Sequence, residues 1–171
     1  MVKKVSLHEN TSFPATIRGI LFSIFILITL AGIAACSGGS SDVELPVDFI
    51  HDFIAKHETM VDKSLVYYYP KEEQPSIAER VDIASRICKS KGTFDSLNQA
   101  DFDFSELQLQ LLDQKEDYFN DEPVLYLKVG VKGNYTMKLP EESMKINAND
   151  ILVLRMAHNE WKVTETMNPW S

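Results

Sequence analysis

Asn149-Asp150-Ile151-Leu152-Val153-Leu154-Arg155-Met156-Ala157, then His158-Asn159-Glu160, then Trp161-Lys162-Val163, carry the clearest architectural signal in the chain. Two extended apolar runs, Ile151–Ala157 and Trp161–Thr166, flank a short polar link, which predicts a hairpin. Upstream the same period of two recurs. Leu107, Leu109 and Leu111 alternate with Gln108 and Gln110; Val124, Tyr126 and Lys128 alternate with Leu125, Leu127 and Val129; Tyr135, Met137 and Leu139 alternate with Thr136 and Lys138. Each run predicts a strand. Gly130 to Asn134 supplies turn residues for a second hairpin, and the polar stretches Asp113 to Glu122 and Leu139 to Asp150 read as loops.

Before Gly92 the period is helical. Val47, Ile50, Phe53 and Ile54 predict a helix over 46–59, with Pro46 in its first turn, where a missing N–H costs nothing. Leu65 to Pro70 is short and aromatic, either a strand or an irregular segment on the core. Ser76-Ile77-Ala78-Glu79 fits a capping box and starts a second helix. Its apolar face is Ile77, Val81, Ala84, Ile87 and Cys88, and Gly92 is placed for a left-handed cap. Helices followed by strands give an α+β class, with the N-terminal helices packed on a curved antiparallel sheet of about four strands.

The final hairpin, ending in Trp161-Lys162-Val163, resembles that of nuclear transport factor 2-like domains, and the element order over 46–166 is similar to theirs. The resemblance implies a cone-like shape with a cavity between sheet and helix, and no particular activity. The chain departs from that pattern between Gly92 and Ser105 and around Tyr67 to Tyr69.

Ahead of this domain, Lys3, Lys4 and Arg18 precede Gly19 to Ala35, seventeen residues without a charge. A positive start, an apolar run and small residues form a secretory signal pattern. As a helix, seventeen residues span only about 26 Å against a hydrocarbon core of about 30 Å, marginally short for a membrane anchor. Ile33-Ala34-Ala35-Cys36 resembles the lipobox of bacterial lipoprotein precursors. That resemblance implies acylation of the Cys36 sulfur and cleavage after Ala35, with Ile33, Ala34 and Ala35 as the recognised residues. Ser37-Gly38-Gly39-Ser40-Ser41-Asp42 then reads as a tether, and residues 37–45 reach roughly 15–18 Å. Acyl chains contributing about 0.8 kcal/mol per buried methylene would hold the protein on a bilayer. Ser37, in place of the Asp that retains many such proteins at the inner membrane, implies the periplasmic face of the outer membrane. The expected organisation is a signal peptide over 1–35, a lipidated Cys and tether over 36–45, and one α+β domain over 46–171.

Composition narrows the function. The chain has 171 residues, 44% hydrophobic and 25% charged, with 7 Gly and 7 Pro, which excludes collagen-like and fully disordered classes. It carries 17 basic and 25 acidic residues; losing Lys3, Lys4, Arg18 and Glu9 with the leader leaves 14 and 24, a net charge of −10. Such a domain is repelled by phosphates, so nucleic acid is excluded as a partner. With Cys36 lipidated, Cys88 is the one thiol left and no internal disulfide can form.

No catalytic constellation is visible. His51 and His57, six residues apart, fall about 240° apart around a helix and cannot share a metal. Cys88 sits among apolar residues where a thiolate is disfavoured. Asp101-Phe102-Asp103-Phe104 reads as a strand or loop edge with one wet face rather than an acid–base pair, and Glu116-Asp117 and Asp121-Glu122 as solvated loops rather than calcium ligands. Tyr67, Tyr68, Tyr69, Trp161 and Trp170 read as core. No metal or cofactor is implied. The expectation is a non-enzymatic envelope lipoprotein that binds an envelope protein or a small apolar ligand. An isomerase or dehydratase using a pocket His or carboxylate is the alternative, and a structural role in envelope maintenance, with a solid core, is a third.

Overall fold

The computed structural model describes residues 43–171. The leader, the Ile33–Cys36 motif and residues 37–42 of the tether lie outside the described residues. Ile50, Phe53 and Ile54, spaced by one turn, are buried, and Val47–Thr59 is accordingly a helix, α1. Pro46 caps it from outside, and Met60 ends it in the left-handed region, with its N–H donating to the Lys56 carbonyl at 3.0 Å.

The aromatic run is neither strand nor irregular: Lys63–Tyr68 is a 3₁₀ helix, η1. Its cause is Asp62, whose carboxylate accepts from the Ser64 amide at 2.8 Å, the Ser64 hydroxyl at 2.7 Å and Lys56 Nζ at 2.7 Å. Burial alone would raise the Asp62 pKa, but these donors outweigh it and hold the carboxyl at about 2. Of the three tyrosines only Tyr69 is fully core; Tyr67 is 69% exposed.

The next helix, α2, spans Gln74–Lys91, two residues ahead of the start expected from the capping box. Ser76 donates its hydroxyl to the Glu73 carbonyl at 3.0 Å and does not cap. Ile77 and Val81 are buried as expected, whereas Ile87 is 48% exposed, Cys88 is only half-buried, and Ser85 takes the inner position with its hydroxyl donating to the Val61 carbonyl at 3.3 Å. Gly92 closes α2 at φ 73°, as expected. A short helix, α3, covers Phe94–Asn98.

The sheet is antiparallel throughout: β1 (Asp101–Asp103), β2 (Leu107–Phe119), β3 (Glu122–Lys138), β4 (Ser143–Ala157) and β5 (Glu160–Val163). It curls, with β3 and β4 central, β5 beyond β4, and β1 and β2 end to end along the other side of β3. Three sequence expectations are corrected here. Gly130 to Asn134 is no turn, because β3 runs straight through it; Asp113 to Phe119 is strand, not loop; and Ser143 to Asp150 belongs to β4. The turn between β2 and β3 is Asn120-Asp121, both left-handed at φ 52° and 63°. His158-Asn159, at φ 52° and 62°, links β4 to β5 as expected. Glu116-Asp117 therefore lies on a strand.

Gly133 has a different task. The chain jogs between β1 and β2 at Phe104–Glu106, and the Glu106 carbonyl accepts from the Asn134 amide at 3.3 Å. A Cβ on Gly133 would sit 2.5 Å from that carbonyl oxygen, and the residue lies at φ 106°. Only glycine permits this crowding, so the close approach of the two chains at this point depends on it.

Alternation divides the long strands between two covered faces. Leu127, Val129, Val131 and Tyr135 share one face with Leu154 and Val163. The His51 ring stacks on Phe104 at 4.5 Å and Phe53 meets Tyr69 edge-on at 5.8 Å, so α1 and η1 pack with one another and against this side. On the opposite face Val124, Tyr126 and Val153 are covered by Met167 and Trp170. The Trp170 indole N–H donates to Asp113 at 2.8 Å, and Lys115 Nζ to the Pro169 carbonyl at 3.2 Å.

The helical layer is tied to the sheet by Glu73, which is 5% exposed. Its carboxylate accepts from the Thr164 hydroxyl, the Glu165 amide at 2.9 Å and the Thr166 hydroxyl at 2.9 Å. Burial pushes the Glu73 pKa up, but these donors prevail and the net displacement is downward. The folded value is below the unfolded one, so the stabilisation is present above about pH 4.3 and is lost as pH falls through the folded value. Glu73→Gln, which cannot accept from all these donors, is expected to cost about 2–3 kcal/mol in urea unfolding at neutral pH and to flatten the acid limb of the stability profile. Gly133→Ala is expected to cost a similar ~2–3 kcal/mol by the same measurement, through its clash and its positive φ.

Candidate functional site

Between the curled sheet and α1 lies a cleft of about 460 Å³. That volume lies within the ~300–1,000 Å³ of small-molecule sites. One wall comes from α1, with Phe53, Ile54 and His57; the floor is Val131 and Ala148 of the sheet. Aromatic rings of Tyr69 and Tyr135 complete the apolar part. The interior is thus neither closed nor wholly apolar, since His57, Glu58 and Asp150 line it as well.

Each polar group owes its place to an element the sequence specifies. Phe53 and His57 are one turn apart on α1, and their rings lie 5.4 Å from each other, which turns the imidazole into the cleft. Glu58 follows on the outer flank of the same turn. Asp150 stands opposite Val131 in the β3–β4 register and so points to the α1 side. Tyr135 is buried, with Phe104 packed at 5.5 Å. Burial first, then the charges of Glu58 and Asp150, push its phenol above the usual value of 10.0.

At the far end, Arg80 donates to both Glu165 carboxylate oxygens at 2.8 Å, and the Tyr69 hydroxyl donates to Glu165 at 3.2 Å. Burial and the Glu165 charge keep the Tyr69 phenol protonated well above its usual range. Glu165 is thereby neutralised by a bidentate partner. Glu58 and Asp150 differ: among the described residues no Lys or Arg pairs with either.

The residues singled out from the sequence fall mostly elsewhere. His51 stacks on Phe104, and burial, only partly opposed by Asp48, lowers its pKa. His158 caps the β4–β5 turn with its Nε2 2.8 Å from Glu122. Asp103 of β1 meets Lys138 at 3.7 Å, while Phe102 and Phe104 stack at 5.8 Å on the other side of that edge, as expected of a segment with one wet face. Trp161 and Trp170 are half-buried. Glu58, Tyr135, Asp150 and Glu73 were not expected; the only sequence signal for Glu58 is its place beside His57, and Asp150 was hidden in a polar stretch read as loop. Among the described residues no three His, Cys, Asp or Glu side chains gather as a metal ion requires, and no helix is long and apolar enough to cross a membrane.

Compared with known proteins, the chain matches no family model and no curated sequence. The geometry of the cleft therefore carries the functional argument.

Alkaline titration followed by ultraviolet absorbance tests the coupling of the two carboxylates to Tyr135. In the wild type the Tyr135 phenol ionises above the ordinary phenol range, as do those of Tyr68, Tyr69 and Tyr126, and Tyr135→Phe identifies its share of this late step. Glu58→Gln is expected to move that late step to lower pH, leaving it above the ordinary phenol because burial persists; an unmoved late step would contradict the coupling.

Proposed function

We propose that this protein is a lipid-anchored envelope lipoprotein whose domain is a binding module, holding a small, partly apolar ligand in the cleft between α1 and the sheet. The observation that supports binding is the 460 Å³ cleft itself, aromatic-walled and fringed with a few polar groups, where the apolar faces of helix and sheet would otherwise meet. Helices followed by a curled antiparallel sheet also suit the cone-like nuclear transport factor 2-like architecture suggested by Trp161-Lys162-Val163. The anchor rests on Ile33-Ala34-Ala35-Cys36, the apolar run before it and the Gly/Ser tether after it. On the same resemblance Ser37 favours the periplasmic face of the outer membrane.

An isomerase or dehydratase drawing on His57, Glu58 or Asp150 would use the same cleft, because its substrate must first bind there. A purely structural role would have no use for an open cleft beneath α1. Cys36→Ala is expected to abolish incorporation of labelled fatty acid and to leave an unprocessed precursor on a gel. Labelling that persists in this variant would remove the anchor from the proposal and leave the cleft untouched.

A further inference from the structure

The charge of the cleft specifies its ligand more closely than its volume does. Of the carboxylates that line it, Glu165 is spent on Arg80, while Glu58 and Asp150 line it together with Tyr135 and no Lys or Arg pairs with either among the described residues. Around them stand the faces and edges of Phe53, Tyr69 and Tyr135. Aromatic faces attract organic cations through their quadrupole, and two carboxylates at the rim add a field of the same sense. An anionic ligand would meet repulsion from both.

We propose that the cleft takes an organic cation bearing an apolar body, an ammonium group seated near Glu58 and Asp150 with its hydrocarbon part against Phe53, Tyr69 and Val131. This deepens the binding reading and rests on it. His57 closes the same rim from α1. Glu58 lies beside His57 on α1, Asp150 stands across from it on β4, and Glu165 with Arg80 lies at the far end of the cleft. Exposure of Glu58 and Asp150 to solvent makes the attraction sensitive to salt.

Three probes of matched size separate the possibilities: benzyltrimethylammonium, neutral benzyl alcohol and anionic benzylsulfonate, each titrated calorimetrically into the full-length protein in uncharged detergent micelles. The expected result is that the cation binds at least about tenfold more tightly than either other probe and loses about five- to tenfold in Glu58→Gln or Asp150→Asn. Both substitutions are at exposed positions, and Tyr135→Phe serves as a control that keeps the aromatic wall and both carboxylates. Equal binding of all three probes, unaffected by the substitutions, overturns the cationic class and leaves the cleft as a binding site. Binding of none of them overturns the binding reading together with this inference.

Discussion

Everything above the sheet is held there by a carboxylate almost without water around it. Glu73 stands at the entrance of α2, and its two oxygens collect donors from Thr164, Glu165 and Thr166 just beyond β5. A buried charge of this kind is tolerable only when hydrogen-bonded on every side, so the position of α2 and that of the segment after β5 are mutually determined. Tyr69 and Arg80 converge on Glu165 next door, which extends the tie from η1 through α2 to the same three residues. Apolar contact alone is non-directional and would let the helices slide over the sheet; this cluster sets their register.

With the helices fixed at that end, the shape of the sheet decides what lies beneath α1. A flat sheet would meet Phe53 and Ile54 along their whole length. The curled sheet leaves space beneath the helix instead, lined by residues of α1 and of β3 and β4. The opposite face of the sheet receives Met167 and Trp170 in place of a helix, and Arg155, buried there, lays its guanidinium over the Phe119 ring at 4.1 Å.

Much of this was legible from residue order, and the failures have a common cause. Ile50, Phe53 and Ile54 mark α1 because its inner face is continuous, and Gly92 marks the end of α2 because its backbone requires a left-handed residue. Gly130 and Gly133 carry the same local signal as a turn, yet what Gly133 answers to is the Glu106 carbonyl across the sheet, a contact that no local pattern encodes. The true turn, Asn120-Asp121, has no glycine and sits inside a polar stretch. The outer end of β2 loses its alternation in a run of polar residues, whereas that of β4 keeps Met144, Ile146 and Ala148 on one face but hides them among Lys, Asn and Asp. The cleft was foreseen as a cavity implied by resemblance, whereas its polar rim was not, since Glu58 and Asp150 come from separate elements and become neighbours only through the curl.

Glu73 and its donors are separated by 91 to 93 residues of chain. Closing so long a loop comes late, after the hairpins that need only local pairing. During synthesis on the ribosome Glu73 emerges long before Thr164 exists, and α2 therefore waits, hydrated and undocked, until nearly the whole sheet has been made. The domain is one that cannot assemble from its beginning forward, and a nascent chain halted before residue 164 would present its helices to the cell's quality control as unfinished.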